Sequence, residues 1–225
     1  MLDCPPLRFA QDGAEIFSGA IAASLDRVRS ALAPLLQDAA GVRISGLAAL
    51  RPYLLSDGPI GAIAAEVIGP GCQAVRAILF DKTAKTNWSL AWHQDRTISV
   101  RQKLDVDGFG PWTKKAGMHH VAPPFDLLSR MVTLRIHLDD VAADNGPLLI
   151  APGSHRFGLV PASRIAEVVD RCGARQCLAA AGDIWLYATP ILHASDSAAT
   201  PRHRRVLQVD FSADHLPSGL EWSGV

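Results

Sequence analysis

Two histidines, one carboxylate and a more distant arginine are the residues of this sequence that together could do chemistry. His93 and Asp95 are separated by a single residue, and His193 lies far downstream. In an extended segment, residues two apart point to the same side, so His93 and Asp95 can reach one metal ion while Gln94 faces away. Two histidines and one carboxylate occupy one face of a ferrous ion and leave the other face open for a co-substrate and dioxygen.

Arg204 extends this pattern, because it follows His193 and opens an apolar, strand-like segment. Its guanidinium can grip the far carboxylate of a dicarboxylic acid such as 2-oxoglutarate with two hydrogen bonds. Ser195 can add a hydroxyl to the same carboxylate. Arg202 and Arg205 stay open as alternatives, because the whole run from Arg202 to Arg205 is basic. If Arg205 points to the opposite side of the strand, it is a surface residue.

The elements that must position these residues change character along the chain. Apolar residues at helical spacing predict a helix over residues 14–36, with Pro34 near its end, and a second over 58–67. The predicted strands are 74–80, 90–93, 131–138, 148–150, 184–187 and 205–211. This order predicts a mainly β fold with flanking α: a double-stranded β-helix (jelly roll, cupin-like) buttressed by N-terminal helices.

The length of 225 residues suits one domain, residues 1–225, with mostly helical support in 1–70 and a β-helix core in 72–212. Residues 105–124 read as a long irregular loop that holds Trp112, His119 and His120. Loops of that length inside a domain are usually functional or mobile. A short helix is predicted over 163–171.

Composition bears on partners and compartment. The 22 basic and 22 acidic residues balance, so charge favours neither nucleic acid nor an anionic membrane as a partner. The first residues lack the pattern of a signal peptide, and no apolar run reaches membrane-spanning length, which predicts a cytoplasmic protein. The four cysteines are too scattered for a disulfide framework and are interpreted as reduced thiols: Cys4, Cys72, Cys172 and Cys177.

Several motifs in a fixed order resemble those of the phytanoyl-CoA dioxygenase family over residues 74–211. They are His93-Gln94-Asp95, Asp144-Asn145-Gly146-Pro147-Leu148, Pro152-Gly153-Ser154-His155, and the segment from His193 to Arg204. The resemblance implies a double-stranded β-helix that uses Fe(II) and 2-oxoglutarate, usually to hydroxylate a substrate. It implies iron binding by His93, Asp95 and His193, and 2-oxoglutarate binding by Arg204 with help from Ser195. The carboxylate of Asp95 favours hydroxylation over halogenation, since related halogenases have a small residue there.

Further residues are candidates for binding. Lys82 and Asn87 precede His93 and are expected near the co-substrate, whereas Trp88 and Trp92 are expected to pack. The candidate substrate contacts are Trp112, for which packing is an equal alternative, and Arg135, which alternates with apolar residues on its strand. His155 is interpreted as structural, and the pair His119 and His120 as either solvent-facing or in contact with substrate.

The expected function is hydroxylation of a small organic metabolite or biosynthetic intermediate, with 2-oxoglutarate and dioxygen consumed and succinate and CO2 released. One alternative is a metal-binding β-helix protein with a binding or regulatory role and no oxygenase activity. Another is a cupin-like hydrolase or isomerase with a different divalent metal, which has no need of Arg204. The sequence carries no signal for an oligomeric state.

Overall fold

Antiparallel strands make up most of the computed structural model, which describes residues 5–36 and 39–225. The strands in this part of the chain are β1 (Ala14–Phe17), β2 (Gly41–Ile44), β3 (Gln73–Lys82), β4 (Leu90–His93), β5 (Ile98–Val100), β6 (Trp112–Lys115), β7 (Met118–Val121), β8 (Val132–His137), β9 (Leu148–Ile150), β10 (Arg175–Cys177), β11 (Ile184–Ala188), β12 (His193–Ser195) and β13 (Arg204–Ser212).

The helices are short and lie mostly before β3 and between β9 and β10. The α-helices are α1 (Phe9–Asp12), α2 (Leu25–Leu32), α3 (Arg51–Leu54), α4 (Gly61–Ile68), α5 (Phe125–Ser129) and α6 (Ile165–Cys172). Single 3-10 turns cover Ala22–Ser24, Ala33–Leu35, Ala48–Leu50, Ser154–Phe157 and Ala162–Arg164. No helix in these described ranges is long and apolar enough to cross a membrane.

Two sheets face each other across the interior. The large sheet has the order β1-β11-β8-β13-β3-β2, and the smaller one the order β10-β9-β12-β4. Side chains from both sheets meet in one apolar cluster that includes Trp185 and Tyr187 of β11 and Leu148 and Ile150 of β9. This arrangement is the jelly roll that the sequence predicts, and it leaves a space between the sheets at the β3, β4 and β12 end.

The helices before β3 cover the outer face of the large sheet. Leu134 and Ile136 of β8 and Val209 of β13 pack there against Val28 and Leu32 of α2, among other residues. Burying each such side chain contributes about 1.5–3 kcal/mol. Because residues alternate along a strand, the outward packing of Leu134 and Ile136 turns their polar neighbours toward the space between the sheets. The predicted buttress of N-terminal helices is therefore confirmed.

The N-terminal helix is shorter than the sequence predicts. Residues 14–17 form β1, which pairs with β11, and only Leu25–Leu32 is α-helical. Ile16 packs in the cluster between the sheets, whereas Phe17 packs in the outer cluster. A strand can send neighbouring side chains to opposite faces in this way. The prediction of helix at residues 14–17 is wrong, and residues 1–70 contribute both edge strands, β1 and β2, to the large sheet.

Residues 105–124 are also more regular than predicted. Here β6 and β7 form a hairpin that joins β5 in a three-stranded sheet. Ala116 and Gly117 at its tip have φ angles of 48° and 80°, and two positive φ angles in a two-residue turn match the twist of a hairpin. His120 is buried on β7, so a solvent-facing pair is wrong for that histidine.

The remaining predictions concern α6 and the cysteines. The helix predicted over 163–171 is present as α6. Among the described residues, Cys72 and Cys177 are buried and Cys172 is half-buried, and none of the three forms a disulfide. Cys4 lies outside those residues.

Candidate active site

His93, Asp95 and His193 come together at one end of the space between the sheets. Strands β4 and β12 are antiparallel neighbours, and His93 stands directly opposite His193. One potential ligand atom from each of the three residues lies within 4.8 Å of the others, and the two imidazole centroids are 4.2 Å apart. Asp95 follows β4 and reaches the same point. The three side chains therefore meet as the spacing in the sequence predicts.

Backbone contacts orient both imidazoles toward a shared point. Nδ1 of His93 lies 2.8 Å from the carbonyl oxygen of Ala91, and Nδ1 of His193 lies 3.0 Å from that of Ile191. Each Nδ1 can hold its proton there, which leaves the Nε2 lone pair free for a metal. Burial lowers the pKa of His193 to about 4, so this ring is neutral near pH 7. The donor set and its orientation fit Fe(II).

Arg76 of β3 holds the carboxylate of Asp95 from behind. Its Nη2 donates to Asp95 Oδ2 over 3.2 Å, and its Nε donates to Asp210 Oδ2 over 2.5 Å. Asp210 also accepts from the Thr133 hydroxyl over 3.0 Å. Burial alone would raise the pKa of Asp95, but Arg76 and the two histidines outweigh burial and keep the pKa below its usual range. Asp95 is thus held ionised, as a metal ligand must be.

Arg204 lies in the same pocket, at the start of β13, and is 2% exposed. Its Nη1 donates to the carbonyl oxygen of Gly146, and its Nε has no hydrogen-bond partner in the described structure. Burial, together with nearby Arg135, lowers the pKa of Arg204 to about 9. A buried guanidinium without a carboxylate partner is energetically costly, so this position is suited to bind an anion.

The two competing arginines already have carboxylate partners. Arg202 is exposed and pairs with Asp144 over 2.8 Å. Arg205 points to the other side of β13 and pairs with Asp139, with hydrogen bonds of 2.8 and 2.6 Å. Of the three arginines, only Arg204 faces the pocket.

Ser195 and Lys82 adjoin Arg204. Ser195 lines the pocket, and the Lys82 ammonium behind it donates to Ser195 Oγ over 3.2 Å and to the Asp196 carbonyl over 2.6 Å. Burial, followed by repulsion from Arg204 and Arg135, lowers the pKa of Lys82 to about 8. Lys82 therefore supports Ser195 rather than lining the pocket itself.

Asn87 fixes the segment after β12 instead of facing the pocket. Its side-chain amide donates to the Ala198 carbonyl over 3.0 Å, and its side-chain oxygen accepts from the Ala198 amide over 2.6 Å. Both groups are thus used on the backbone. Its effect on the site is to hold the chain that carries Ser195.

The turn at Gly146 supports the Arg204 side of the pocket. Gly146 has a φ of 57°, and a Cβ at this position would lie 2.6 Å from the Asp196 carbonyl oxygen. Its own carbonyl accepts from Arg204 and, over 3.3 Å, from the Ser195 hydroxyl. The Asn145-Gly146-Pro147 motif thus brings a backbone acceptor to a place that a side chain would block.

Arg135 lies deep in the interior. Its Nη1 donates to Gln208 Oε1 over 2.8 Å, and its guanidinium stands 5.5 Å from the centre of the Phe80 ring. It lowers the pKa of both His193 and Arg204, after the larger effect of burial on each. Arg135 is therefore close enough to act on both the histidine site and Arg204, and it lines the pocket.

Trp112, a predicted substrate contact, also lies outside the lining of this pocket. Its ring packs, half-buried, against the apolar cluster of the three-stranded sheet, which includes Val106 and Val121. None of its contacts supports a role in substrate binding, and packing was the alternative. His155 likewise stays apart from the His93, Asp95 and His193 group, against Gly13.

Sequence reasoning missed Arg43, Arg76, Lys115 and Asp210. None of them belongs to a motif, and each gains significance only from the pairing of strands. Alternation in β3 and β13 could have placed Arg76 and Asp210 on the inward face. Their pairing depends on the register Asp210 to Arg76.

Comparison with known proteins agrees with this geometry. The family model of phytanoyl-CoA dioxygenase (PhyH) matches residues 66–206, which contain all three residues of the histidine and aspartate group. No curated protein sequence matches the chain.

Three solved structures share the fold. EctD from S. alaskensis, with 2-oxoglutarate and 5-hydroxyectoine, has a TM-score of 0.67 and 19% identity, covering 100% of this chain and 82% of its own. HygX from Streptomyces hygroscopicus, with nickel, 2-oxoglutarate and hygromycin B bound, has a TM-score of 0.62 and 17% identity. The match covers 91% of this chain and 84% of HygX. The epimerase SnoN from nogalamycin biosynthesis has a TM-score of 0.61 and 16% identity. The match covers 97% of this chain and 92% of SnoN.

The family model spans more than half of the chain, and Fe(II) and 2-oxoglutarate are the cofactors of that family. The chain belongs to the phytanoyl-CoA dioxygenase family of iron- and 2-oxoglutarate-dependent oxygenases.

Proposed function

We propose that this protein hydroxylates a small organic metabolite or biosynthetic intermediate, with dioxygen and 2-oxoglutarate consumed and succinate and CO2 released. The observation that carries the proposal is the pairing of two features in one pocket. One is the group of His93, Asp95 and His193, and the other is Arg204, buried without a carboxylate partner in the described structure.

In this proposal His93, Asp95 and His193 hold Fe(II), which together with 2-oxoglutarate supplies the oxidising chemistry at a substrate C–H bond. Arg204 binds the far carboxylate of 2-oxoglutarate, and the Ser195 hydroxyl adds a second contact. Lys82 holds Ser195 in place, and Asn87 holds the segment that follows it.

The remaining pocket residues keep the reaction site dry and oriented. Arg76 fixes the Asp95 carboxylate so that one oxygen stays directed at the metal position. Phe80, Trp88 and Leu148 line the pocket with apolar surface, which excludes water from the reacting groups. Arg135 is proposed as the charged residue that faces the bound molecules from the floor of the pocket.

The competing functions make different demands on Arg204. A hydrolase or isomerase with another divalent metal has no use for an unpaired buried guanidinium beside the metal position. A binding protein without activity would hold iron and 2-oxoglutarate but release no succinate. The epimerase SnoN shows that this fold is not limited to hydroxylation.

The test is a substrate screen by succinate release, followed by mass spectrometry of the product. Hydroxylation adds one oxygen atom to the substrate, and under 18O2 that atom is labelled. A product of unchanged mass with matching succinate release would replace hydroxylation by epimerisation. Substrate-independent iron and 2-oxoglutarate binding with no succinate from any compound would favour the binding role.

A further inference from the structure

Positive charge exceeds negative charge along the walls of the pocket. The described residues that line it include Arg43, Arg76, Lys115, Arg135 and Arg204, against Asp95 as the acidic member. A cleft lined by charges of one sign concentrates ligands of the opposite sign. This excess of positive charge is larger than an iron and 2-oxoglutarate site needs. The partner or role of each of the five cations is therefore considered in turn.

Three of the five cations already have a partner or a proposed role. Arg76 pairs with Asp95 and with Asp210. Arg204 and Arg135 are both buried in the part of the pocket where the co-substrate is proposed to bind, and Arg135 helps to lower the pKa of Arg204, after the larger effect of burial. Arg43 and Lys115 are left without a role.

Strand register directs Arg43 into the pocket. It lies on the edge strand β2, opposite Ile78 of β3, and Ile78 stands opposite Gln208 of β13. Gln208 stands opposite Arg135. Residues directly opposite one another in an antiparallel sheet point to the same face, so Arg43 belongs to an inward-facing row that includes Gln208 and Arg135.

The guanidinium of Arg43 has no counter-ion among the described residues. Its Nε is buried and has no hydrogen-bond partner, and no carboxylate forms an ion pair with it there. Burial, followed by repulsion from Arg76, lowers its pKa. Because a buried donor without a partner is costly, its presence here fits a ligand that accepts a hydrogen bond from it.

Lys115 lines the same pocket from the hairpin of β6 and β7. It ends β6 at the tip of the hairpin, is exposed, and lines the pocket, whereas its neighbour Lys114 does not. Arg43 and Lys115 both line the pocket, and because Lys115 is exposed, the part of the pocket that they share lies near its mouth. After the larger effect of burial, Arg76, Arg43 and Lys115 all lower the pKa of His120.

We infer that Arg43 and Lys115 bind an anionic group of the substrate, a carboxylate or a phosphate, at the mouth of the pocket. This inference rests on the proposed function, because it takes the deeper arginines to be occupied by 2-oxoglutarate. A forked guanidinium on a fixed strand and an ammonium on a hairpin tip would hold such a group from two sides. The substrate is accordingly a small organic anion rather than a cation or a neutral sugar.

The experiment is a calorimetric titration of protein loaded with Ni(II) and saturating 2-oxoglutarate, so that the co-substrate site is filled. The probes are inorganic phosphate, acetate and neutral glycerol. The variants are Arg43→Gln and Lys115→Gln, with Lys114→Gln as the matched control on the adjacent exposed position. Lys115→Gln keeps the test valid if Arg43→Gln disturbs folding.

We expect phosphate or acetate to bind and glycerol not to bind. Either cation variant should weaken anion binding by about tenfold, the loss of roughly one charge-assisted hydrogen bond, while Lys114→Gln changes it by less than about twofold. Affinity for 2-oxoglutarate should stay unchanged in all three. Binding of phosphate alone or acetate alone identifies the group, and either supports the inference.

Two results would overturn the inference: binding of neither anion to the loaded wild-type protein, or equal anion binding by all variants. Failure of the proposed function is separable, because it shows as absent 2-oxoglutarate binding in the first loading step. In that case the same titration on unloaded protein still compares Arg43→Gln with Lys114→Gln.

Discussion

At the scale of single residues, charge pairing separates the residues that bind from those that support. Arg202 and Arg205 each have an aspartate partner, whereas Arg204 contacts a backbone carbonyl and its Nε has no partner among residues 5–36 and 39–225. The sequence could not choose among the three, because side-chain direction on a strand and the position of distant aspartates are properties of the fold.

The first residue-scale prediction concerns Arg204. Replacing it by Ala should raise the dissociation constant for 2-oxoglutarate about tenfold to a hundredfold, because a charge-assisted contact worth roughly 1.5–3 kcal/mol is lost. Iron affinity should change little, since Arg204 does not belong to the metal group. Calorimetry with both ligands measures this, and Arg202→Ala is the matched control. If Arg202→Ala weakened 2-oxoglutarate binding as much as Arg204→Ala does, Arg204 would not be the specific anchor of the carboxylate.

The second prediction concerns Arg76, which serves two buried carboxylates. Arg76→Gln leaves Asp95 and Asp210 without a cation, and the free energy of unfolding of the metal-free protein should fall by about 3–5 kcal/mol. Arg101→Gln is the control, because the Arg101–Glu221 pair is exposed and is expected to contribute less than about 1 kcal/mol. Urea unfolding at neutral pH compares the two variants. Similar losses in the free energy of unfolding would mean that Arg76 stabilises the protein no more than an exposed ion-pair residue does.

At the scale of elements, two short strands and one turn position the site. β4 and β12 place His93 opposite His193, and the Asn145-Gly146-Pro147 turn brings a carbonyl to Arg204. Alternation predicted the long strands β3, β8 and β13. Seven strands of three or four residues were missed, because such short segments give too few periods to recognise: β1, β2, β5, β6, β7, β10 and β12.

The turn supplies an element-scale prediction. Gly146→Ala forces a side chain into positive φ and against the Asp196 carbonyl, so it should lower the free energy of unfolding by about 1–3 kcal/mol. It should also weaken 2-oxoglutarate binding, because Arg204 and Ser195 both contact the Gly146 carbonyl. Gly71→Ala is the control, since a Cβ there meets nothing within 4 Å. Thermal unfolding measures the loss of stability, and a 2-oxoglutarate titration measures the weaker binding. If Gly146→Ala were as stable as Gly71→Ala, the strain expected at this turn would be absent.

At the scale of the whole molecule, the large sheet separates an apolar face from a positively charged face. Its outer face packs against the helices, and its inner face carries Arg43, Arg76, Arg135, His137 and Arg204. The sequence predicted the jelly roll and the meeting of His93, Asp95 and His193, because spacing and alternation encode them. It did not reveal the excess of cations, because scattered arginines become a cluster only when β2, β3, β8 and β13 pair.

Buried neutral histidines should make the metal-free protein sensitive to acid. Burial, with Arg135 and Arg204 nearby, lowers the pKa of His137 to about 3. Between pH 6.5 and that value the unfolded chain binds a proton that the folded protein does not, so stability falls as pH falls. Each such histidine costs on the order of 2 kcal/mol between pH 7 and pH 5.

The check is urea unfolding at pH 7 and pH 5 of the metal-free wild-type protein and His137→Leu. The variant should lose less stability on acidification, because one of the titrating groups is gone. His215→Leu serves as the control, since His215 is exposed. Carboxylates with a lowered pKa do not interfere with this comparison, because their contribution to the free energy of unfolding is lost only below pH 5. An identical pH dependence in wild type and His137→Leu would contradict the assignment.

An anaerobic titration of the metal-free protein with Fe(II) and 2-oxoglutarate, followed by visible absorption, tests the proposed iron and 2-oxoglutarate site most directly. We expect a metal-to-ligand charge-transfer band in the wild-type protein. We also expect Asp95→Ala to abolish the band, because Fe(II) affinity falls at least about a hundredfold when a ligand is removed. Iron bound without the band, or a band of equal strength in Asp95→Ala, would contradict a 2-oxoglutarate complex at His93, Asp95 and His193.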